Sequence, residues 1–100
     1  MAFQHVASMK EVPPETMRDF TVNGKTIALA NVSGKLFAVN NECLHMGGPL
    51  GEGTLDGQTV TCPWHGWQYD VTTGKVITNP SVCTDTYAVE VRGIEIFVDV

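Results

Sequence analysis

Five dipeptides of turn-forming type, Asn23-Gly24, Ser33-Gly34, Asp56-Gly57, Thr73-Gly74 and Arg92-Gly93, cut the chain into short runs rich in Val, Ile, Thr and aromatic residues. Asn-Gly and Asp-Gly tolerate the positive φ of tight hairpin turns, so such spacing constrains the chain to antiparallel β structure. Strands are predicted over Met17–Val22, Lys25–Val32, Lys35–Asn40, 86–91 and 94–98. In 86–91, Tyr87, Val89 and Val91 alternate with Ala88 and Glu90, the pattern of a half-buried strand that the last run should pair with antiparallel. No convincing helix is offered, because Pro13-Pro14 interrupts 11–19 and leaves at most one turn. At 100 residues the chain is one small domain, too short for two cores. A domain of this size buries only roughly 60 to 70 % of its unfolded surface, so a metal, a disulfide or a partner can add to a modest core.

Residues 41–74 break the strand pattern. Six of the ten glycines (Gly47, Gly48, Gly51, Gly53, Gly57 and Gly66) fall there within twenty residues, beside Pro49 and Pro63. Glycine at that density marks backbone in unusual conformations or in close approach to something. The same stretch holds Glu42, Glu52, Asp56 and Asp70 and no Lys or Arg. It reads as a subdomain, 41–74, inserted into a base formed by 1–40 and 75–100 and built around a site.

Charge and composition exclude several functions. Six Lys plus Arg against eleven Asp plus Glu give a net charge of −5, the wrong sign for a phosphate backbone, so no nucleic-acid role is expected. No apolar run approaches the roughly 20 residues that span a bilayer, and the start MAFQHVASMKEVPP lacks the basic start and following apolar stretch expected of a signal peptide. The expectation is a cytoplasmic protein. Three cysteines without an export signal are a poor disulfide framework and a better source of metal thiolates.

Within the inserted segment stand Cys43-Leu44-His45 and, after sixteen intervening residues, Cys62-Pro63-Trp64-His65. Two short loops thus deliver two soft sulfurs and two imidazole nitrogens, a four-ligand set. Ligand chemistry alone leaves zinc and iron-sulfur open. A Cys2His2 zinc site normally pairs a Cys knuckle with a His pair, often on a helix, whereas here each loop mixes both types. A binuclear [2Fe-2S] core with both sulfurs on one iron and both histidines on the other suits the pattern better.

The segments 43–50 (CLHMGGPL) and 62–70 (CPWHGWQYD) resemble the two cluster-binding boxes of the Rieske [2Fe-2S] family. Thr73-Gly74-Lys75, Asn79-Pro80 and the terminal hairpin extend the resemblance over nearly the whole chain. It implies the Rieske fold, an all-β antiparallel sandwich or barrel-like base carrying a two-loop cluster-binding subdomain, with one [2Fe-2S] cluster per chain. By the same resemblance Cys43 and Cys62 hold the inner iron, and His45 and His65 hold the outer iron near the surface. An electron added on reduction resides on the iron with neutral nitrogen ligands, and a surface position shortens its path to a partner. Respiratory members carry an extra, disulfide-forming Cys in each box; those positions read Gly48 and Trp64 here. They also carry a Ser that donates to a cluster sulfur, where this chain has Trp67. Fewer hydrogen bonds and uncompensated acids leave the centre more negative, so the expected potential lies low in the family range of roughly −150 to +300 mV.

The function implied is a soluble one-electron carrier of −5 net charge that passes electrons from a flavin-dependent NAD(P)H ferredoxin reductase to a terminal oxygenase, such as an aromatic-ring dioxygenase. A chain this short is expected to be a component of a multicomponent oxygenase system, not an enzyme, and to act as a monomer. The alternatives are a Rieske subunit of another redox enzyme, such as a monooxygenase or a nitrite-reductase-like complex, and a structural zinc module. Partners would dock near His45, His65, Met46, Pro49 and Trp64, on surfaces of basic character. Trp64, Met46, Pro49 and Leu50 form either a recognition collar or a shield against water. Trp67 and Tyr69 are expected to pack beneath the cluster, Tyr69 as a hydrogen-bond donor to a cysteine sulfur, and Pro80 resembles a proline loop that covers the cluster. Cys83 is expected to be a partly buried thiol, His5 a surface or core residue, and the acids of 11–15 a solvated turn.

Overall fold

The computed structural model describes residues 2–44, 47–64 and 66–100. Its strands in chain order are β1 (Phe3–Ser8), β2 (Met17–Val22), β3 (Lys25–Val32), β4 (Lys35–Asn40), β5 (Thr54–Asp56), β6 (Thr59–Thr61), β7 (Gln68–Asp70), β8 (Lys75–Val76), β9 (Asn79–Cys83), β10 (Thr86–Tyr87), β11 (Val89–Arg92) and β12 (Glu95–Asp99). Among the described residues the helical turns are two short 3-10 segments, Met9–Glu11 and Leu50–Glu52. No helix among them is long and apolar enough to cross a membrane. The chain is all-β, as its turn spacing predicts.

Among the described residues three antiparallel sheets form, in the orders β1-β12-β11, β10-β4-β3-β2 and β5-β6-β7-β8-β9. The β2–β3–β4 meander has the predicted limits, because its two turns are local. Asn23 and Gly24 both take positive φ (54° and 78°), as do Ser33 and Gly34 (52° and 96°). Two consecutive positive-φ residues give the turn whose twist matches the flanking strands.

The β10-β4-β3-β2 sheet is a middle layer with a core on each face, so the chain builds two small cores where its length suggested room for only one, because β3 and β4 bury side chains on both sides. Along β3 the side chains alternate between these cores. Ile27 and Leu29 join Val12, Leu36, Ile96 and Val98 on the side of the terminal sheet, whereas Ala28 and Ala30 join Leu50, Val60, Tyr69, Val71 and Val76 on the side of the third sheet. Burial on both faces explains why β3 reads as a continuous apolar run. The small residues face the cluster loops, which lets Leu50 and the two cysteines approach the sheet closely.

Two features depart from the sequence reading. The run 86–91 is not one strand: Thr86 and Tyr87 pair with β4 while Val89 to Arg92 pair with β12, so the chain changes sheets at Ala88. The third sheet, moreover, does not stop at residue 74; β8 and β9, which the sequence reading placed with the base, pair into it.

Asp70, at the end of β7, organises the following turn. Its carboxylate accepts hydrogen bonds from the Thr72 N–H (2.9 Å), the Thr72 hydroxyl (2.6 Å) and the Gln58 amide (3.0 Å). Burial raises the carboxyl, but these donors and the Lys75 charge outweigh it and hold the group below its ordinary value. A depressed carboxylate stabilises the fold above its unfolded pKa and loses that contribution as pH falls through the folded one. Asp70→Asn is therefore expected to lower stability at pH 7 by about 1 kcal/mol and by progressively less in acid. Denaturant titrations at neutral pH and below the carboxylate range check this; a deficit independent of pH would contradict it.

Candidate metal centre

Cys43 and Cys62 reach the site from different supports. Cys43 lies in a loop between β4 and the Leu50–Glu52 turn, where its N–H donates to the Gly48 carbonyl (2.8 Å) and its carbonyl accepts from the Gly47 N–H (2.7 Å). Cys62 follows β6, and its N–H donates to the Trp67 carbonyl (2.7 Å), closing a tight loop before β7. Both cysteines are 2 % exposed. The third cysteine, Cys83, is exposed on β9 rather than partly buried, because β9 is an edge strand with every residue exposed. Pro80 lies in that same strand. His5 is a surface residue on β1, with Nε2 2.6 Å from Glu95 Oε1. Glu11 caps the Met9–Glu11 turn by accepting from the Ser8 N–H (2.8 Å).

Tyr69 joins the two loops from beneath. It is fully buried on β7, its hydroxyl oxygen accepts the Leu44 N–H at 2.8 Å, and that hydroxyl lies 3.3 Å from Cys43 Sγ. Burial, followed by the Cys43 thiol beside it, pushes its ionisation above the usual phenol range. The hydroxyl therefore keeps its proton and is available to donate to sulfur. Trp67 packs partly buried on the same core, as expected. The Trp64 N–H donates to Cys62 Sγ at 3.4 Å. Gly48 makes this approach possible, since a Cβ there would lie 2.9 Å from Cys62 Sγ and 2.9 Å from the Trp64 ring.

The donor set fits a metal with thiolate affinity. Burial pushes the Cys62 thiol above its ordinary value, and the neighbouring Cys43 thiol raises it further. Two adjacent thiolates in an apolar pocket are costly unless a cation compensates them, and metal binding removes those protons. Among the described residues no group of three or more His, Cys, Asp or Glu is placed to hold a metal ion. His45, His65 and Met46 lie outside the described residues. Of the expected apolar rim, Trp64 is 49 % exposed, Pro49 is half-buried and Leu50 is fully buried, so Leu50 belongs to the core and not to the rim. Leu44, 46 % exposed, supplies an apolar rim residue that sequence reading passed over. Its place between two ligand-type residues was the available signal.

The Rieske [2Fe-2S] domain model matches residues 2–92, which include both loops. The chain is 32 % identical over 93 residues to the naphthalene 1,2-dioxygenase system ferredoxin component of Pseudomonas aeruginosa, covering 92 % of this chain and 89 % of that protein. It superposes on the ferredoxin of carbazole 1,9a-dioxygenase from Nocardioides aromaticivorans with a TM-score of 0.89 at 28 % identity, over 98 % of this chain and 97 % of that one. A chain from a complex of reduced oxygenase and oxidised ferredoxin in carbazole 1,9a-dioxygenase matches with a TM-score of 0.87 at 32 % identity, over 96 % of this chain and 91 % of that one. A match through both cysteine loops, on a shared fold and over nearly the full length of ferredoxin relatives, makes this chain a member of the Rieske [2Fe-2S] domain family.

Proposed function

We propose that this protein is a one-electron carrier in an aromatic-ring dioxygenase system, a single domain over residues 1–100 whose one [2Fe-2S] cluster is held by Cys43, Cys62, His45 and His65. The observation that carries this reading is the pair of buried thiols, delivered by two separately supported loops, with the Tyr69 hydroxyl against Cys43. When bound, such a cluster supplies reversible one-electron transfer. The residues 41–74 form the cluster-binding part, its sheet completed by β8 and β9 from the segment 75–100, and 1–40 with the rest of 75–100 form the base.

The chain's own residues divide the remaining work. The Tyr69 hydroxyl and the Trp64 N–H offer hydrogen bonds to the two sulfurs, and donors of this kind tune a cluster's potential. Leu50, Val60 and Trp67 exclude water from below. Exposed Leu44 and Trp64 give partners an apolar contact, and the surface near His45, His65, Met46, Pro49 and Trp64 is where a flavin-dependent ferredoxin reductase and a terminal oxygenase would dock in turn. Glu42, Glu52 and Asp56, in a segment 41–74 without Lys or Arg, favour basic partner surfaces, so association should weaken as salt rises. The protein would work as a cytoplasmic monomer.

Electron paramagnetic resonance of the dithionite-reduced protein, with iron and zinc quantified on the same sample, tests the reading. A rhombic signal with average g below that of all-cysteine [2Fe-2S] ferredoxins is expected. A silent sample with stoichiometric zinc, and no signal after iron reconstitution, would overturn it. Tyr69→Phe removes a donor to Cys43 and leaves the Leu44 N–H without its acceptor, so the midpoint potential is expected to fall. A differential loss of about 1.4 kcal/mol corresponds to a shift of about 59 mV for one electron. An unchanged potential would remove Tyr69 from the tuning of the site.

A further inference from the structure

We propose that Asn41, which is two residues before the first thiolate, is a positioning residue that staples the Cys43 loop to the base through Gly51 and Asp19 and so sets where Cys43 sits relative to Cys62. This rests on the reading that both cysteines are cluster ligands. Asn41 is 8 % exposed, and all of its polar groups are engaged. Its N–H donates to the Thr26 carbonyl of β3 (3.3 Å) and its carbonyl accepts from the Leu50 N–H (2.7 Å). Its side-chain Oδ1 accepts from the Gly51 N–H (2.7 Å), while Nδ2 donates to Asp19 Oδ2 of β2 (3.4 Å). One residue thereby closes both ends of the 41–51 loop and ties it to two strands of the middle sheet.

Gly51 completes the staple by close approach. A Cβ on Gly51 would lie 2.6 Å from the Asp19 backbone nitrogen and 2.8 Å from its Cα, so only a glycine lets the loop rest on β2. The Cys62 loop, by contrast, is carried by β6 and β7 of the third sheet. The two sulfurs therefore belong to different supports; Tyr69 links them at Cys43 and Leu44, and the rest of their relative placement depends on how firmly the first loop is held to the middle sheet. Releasing that hold moves Cys43 without touching any ligand. An Asn at this position also supplies both the acceptor and the donor, which neither Ala nor Asp does.

Iron release from the purified holoprotein to a strong chelator, read together with the reduced paramagnetic spectrum, tests the proposal. Asn41→Ala is expected to release iron roughly tenfold faster and to broaden the rhombic signal, the low end of the roughly 10- to 100-fold cost of losing a group bonded to a ligand, because Asn41 acts on Cys43 at one remove. Asn41→Asp keeps the acceptor for Gly51 but sets a carboxylate against Asp19. Adding Asp19→Asn to it restores a donor–acceptor pair of reversed sense, and should return both readouts toward the parent protein. Parent-like release and line shape in Asn41→Ala, even with a lowered melting temperature, would mean that Asn41 is merely structural and would overturn the proposal; so would failure of the double variant to recover. If Asn41→Ala does not fold, the Asp19 and Asn41 pair of variants decides. A parent protein without any iron signal would instead defeat the ligand reading. Amide exchange at Leu50 and Gly51 in the metal-free chain, expected to be faster in Asn41→Ala than in the parent while β3 is unchanged, would then still judge the staple.

Discussion

Cys62→Ser is expected to yield a colourless protein with little bound iron. Cys62 is 2 % exposed, lies beside Cys43, and receives the Trp64 N–H at 3.4 Å, while the remaining cysteine, Cys83, is exposed on β9 and does not replace it. A serine hydroxyl is a harder and far weaker acid than a thiol and stays protonated in an apolar pocket. Loss of a direct ligand should cost more than the roughly 10- to 100-fold that loss of an outer partner costs in metal affinity. The strands β2, β3 and β4 rest on local turns and on the core that contains Ile27 and Leu29, so they should survive. Amide exchange should accordingly rise across 41–74 before it rises in the middle sheet, because the metal contributes to holding the loops. Iron analysis, visible absorption and exchange on one sample check all three points. A red-brown variant with full iron would exclude Cys62 as a ligand.

His65→Cys is expected to keep an iron-sulfur cluster while changing its colour, its paramagnetic signal and its potential. Replacing a neutral imidazole by a thiolate adds negative charge at the metal and disfavours the added electron. Rieske centres span roughly −150 to +300 mV and all-cysteine plant-type ferredoxins lie near about −400 mV, so the fall should be on the order of 200 mV or more. The average g should rise toward that of all-cysteine clusters. An unchanged spectrum and midpoint would mean that His65 is not a ligand. Together the two variants separate the sulfur side of the ligand set from the nitrogen side.

The ligand candidates and the middle sheet were legible in the sequence for different reasons. Cys43, His45, Cys62 and His65 stand out because rare residue types recur as two short pairs amid glycine and proline. The limits of β2, β3 and β4 stand out because Asn23-Gly24 and Ser33-Gly34 encode their turns in the residues themselves. Tyr69 packs beneath the site and faces a cysteine sulfur, as expected from its place in the second box, four residues after His65. Its hold on the Leu44 N–H was not legible, because that bond joins residues 25 apart in sequence. Cys83 departs from expectation for a related reason: cysteine is among the residue types most often buried, but β9 is the edge of its sheet and each of its residues is exposed.

What the sequence by itself determined was local chemistry and local geometry: all-β character, hairpin turns, a metal-binding pair of loops and an acidic surface around them. The tertiary structure alone decided which strands share a sheet. Phe3 to Ser8 pairs with Glu95 to Asp99, nearly the whole chain away, and 86–91 divides between two sheets at Ala88. It also decided that Asn41, Gly51 and Asp19 meet, and that Gly48 must lack a side chain for Trp64 to reach Cys62. The physical reason is range. Backbone preferences and ligand types act within a few residues, whereas pairing, edge exposure and close approach depend on distant segments that come together only when both cores are packed.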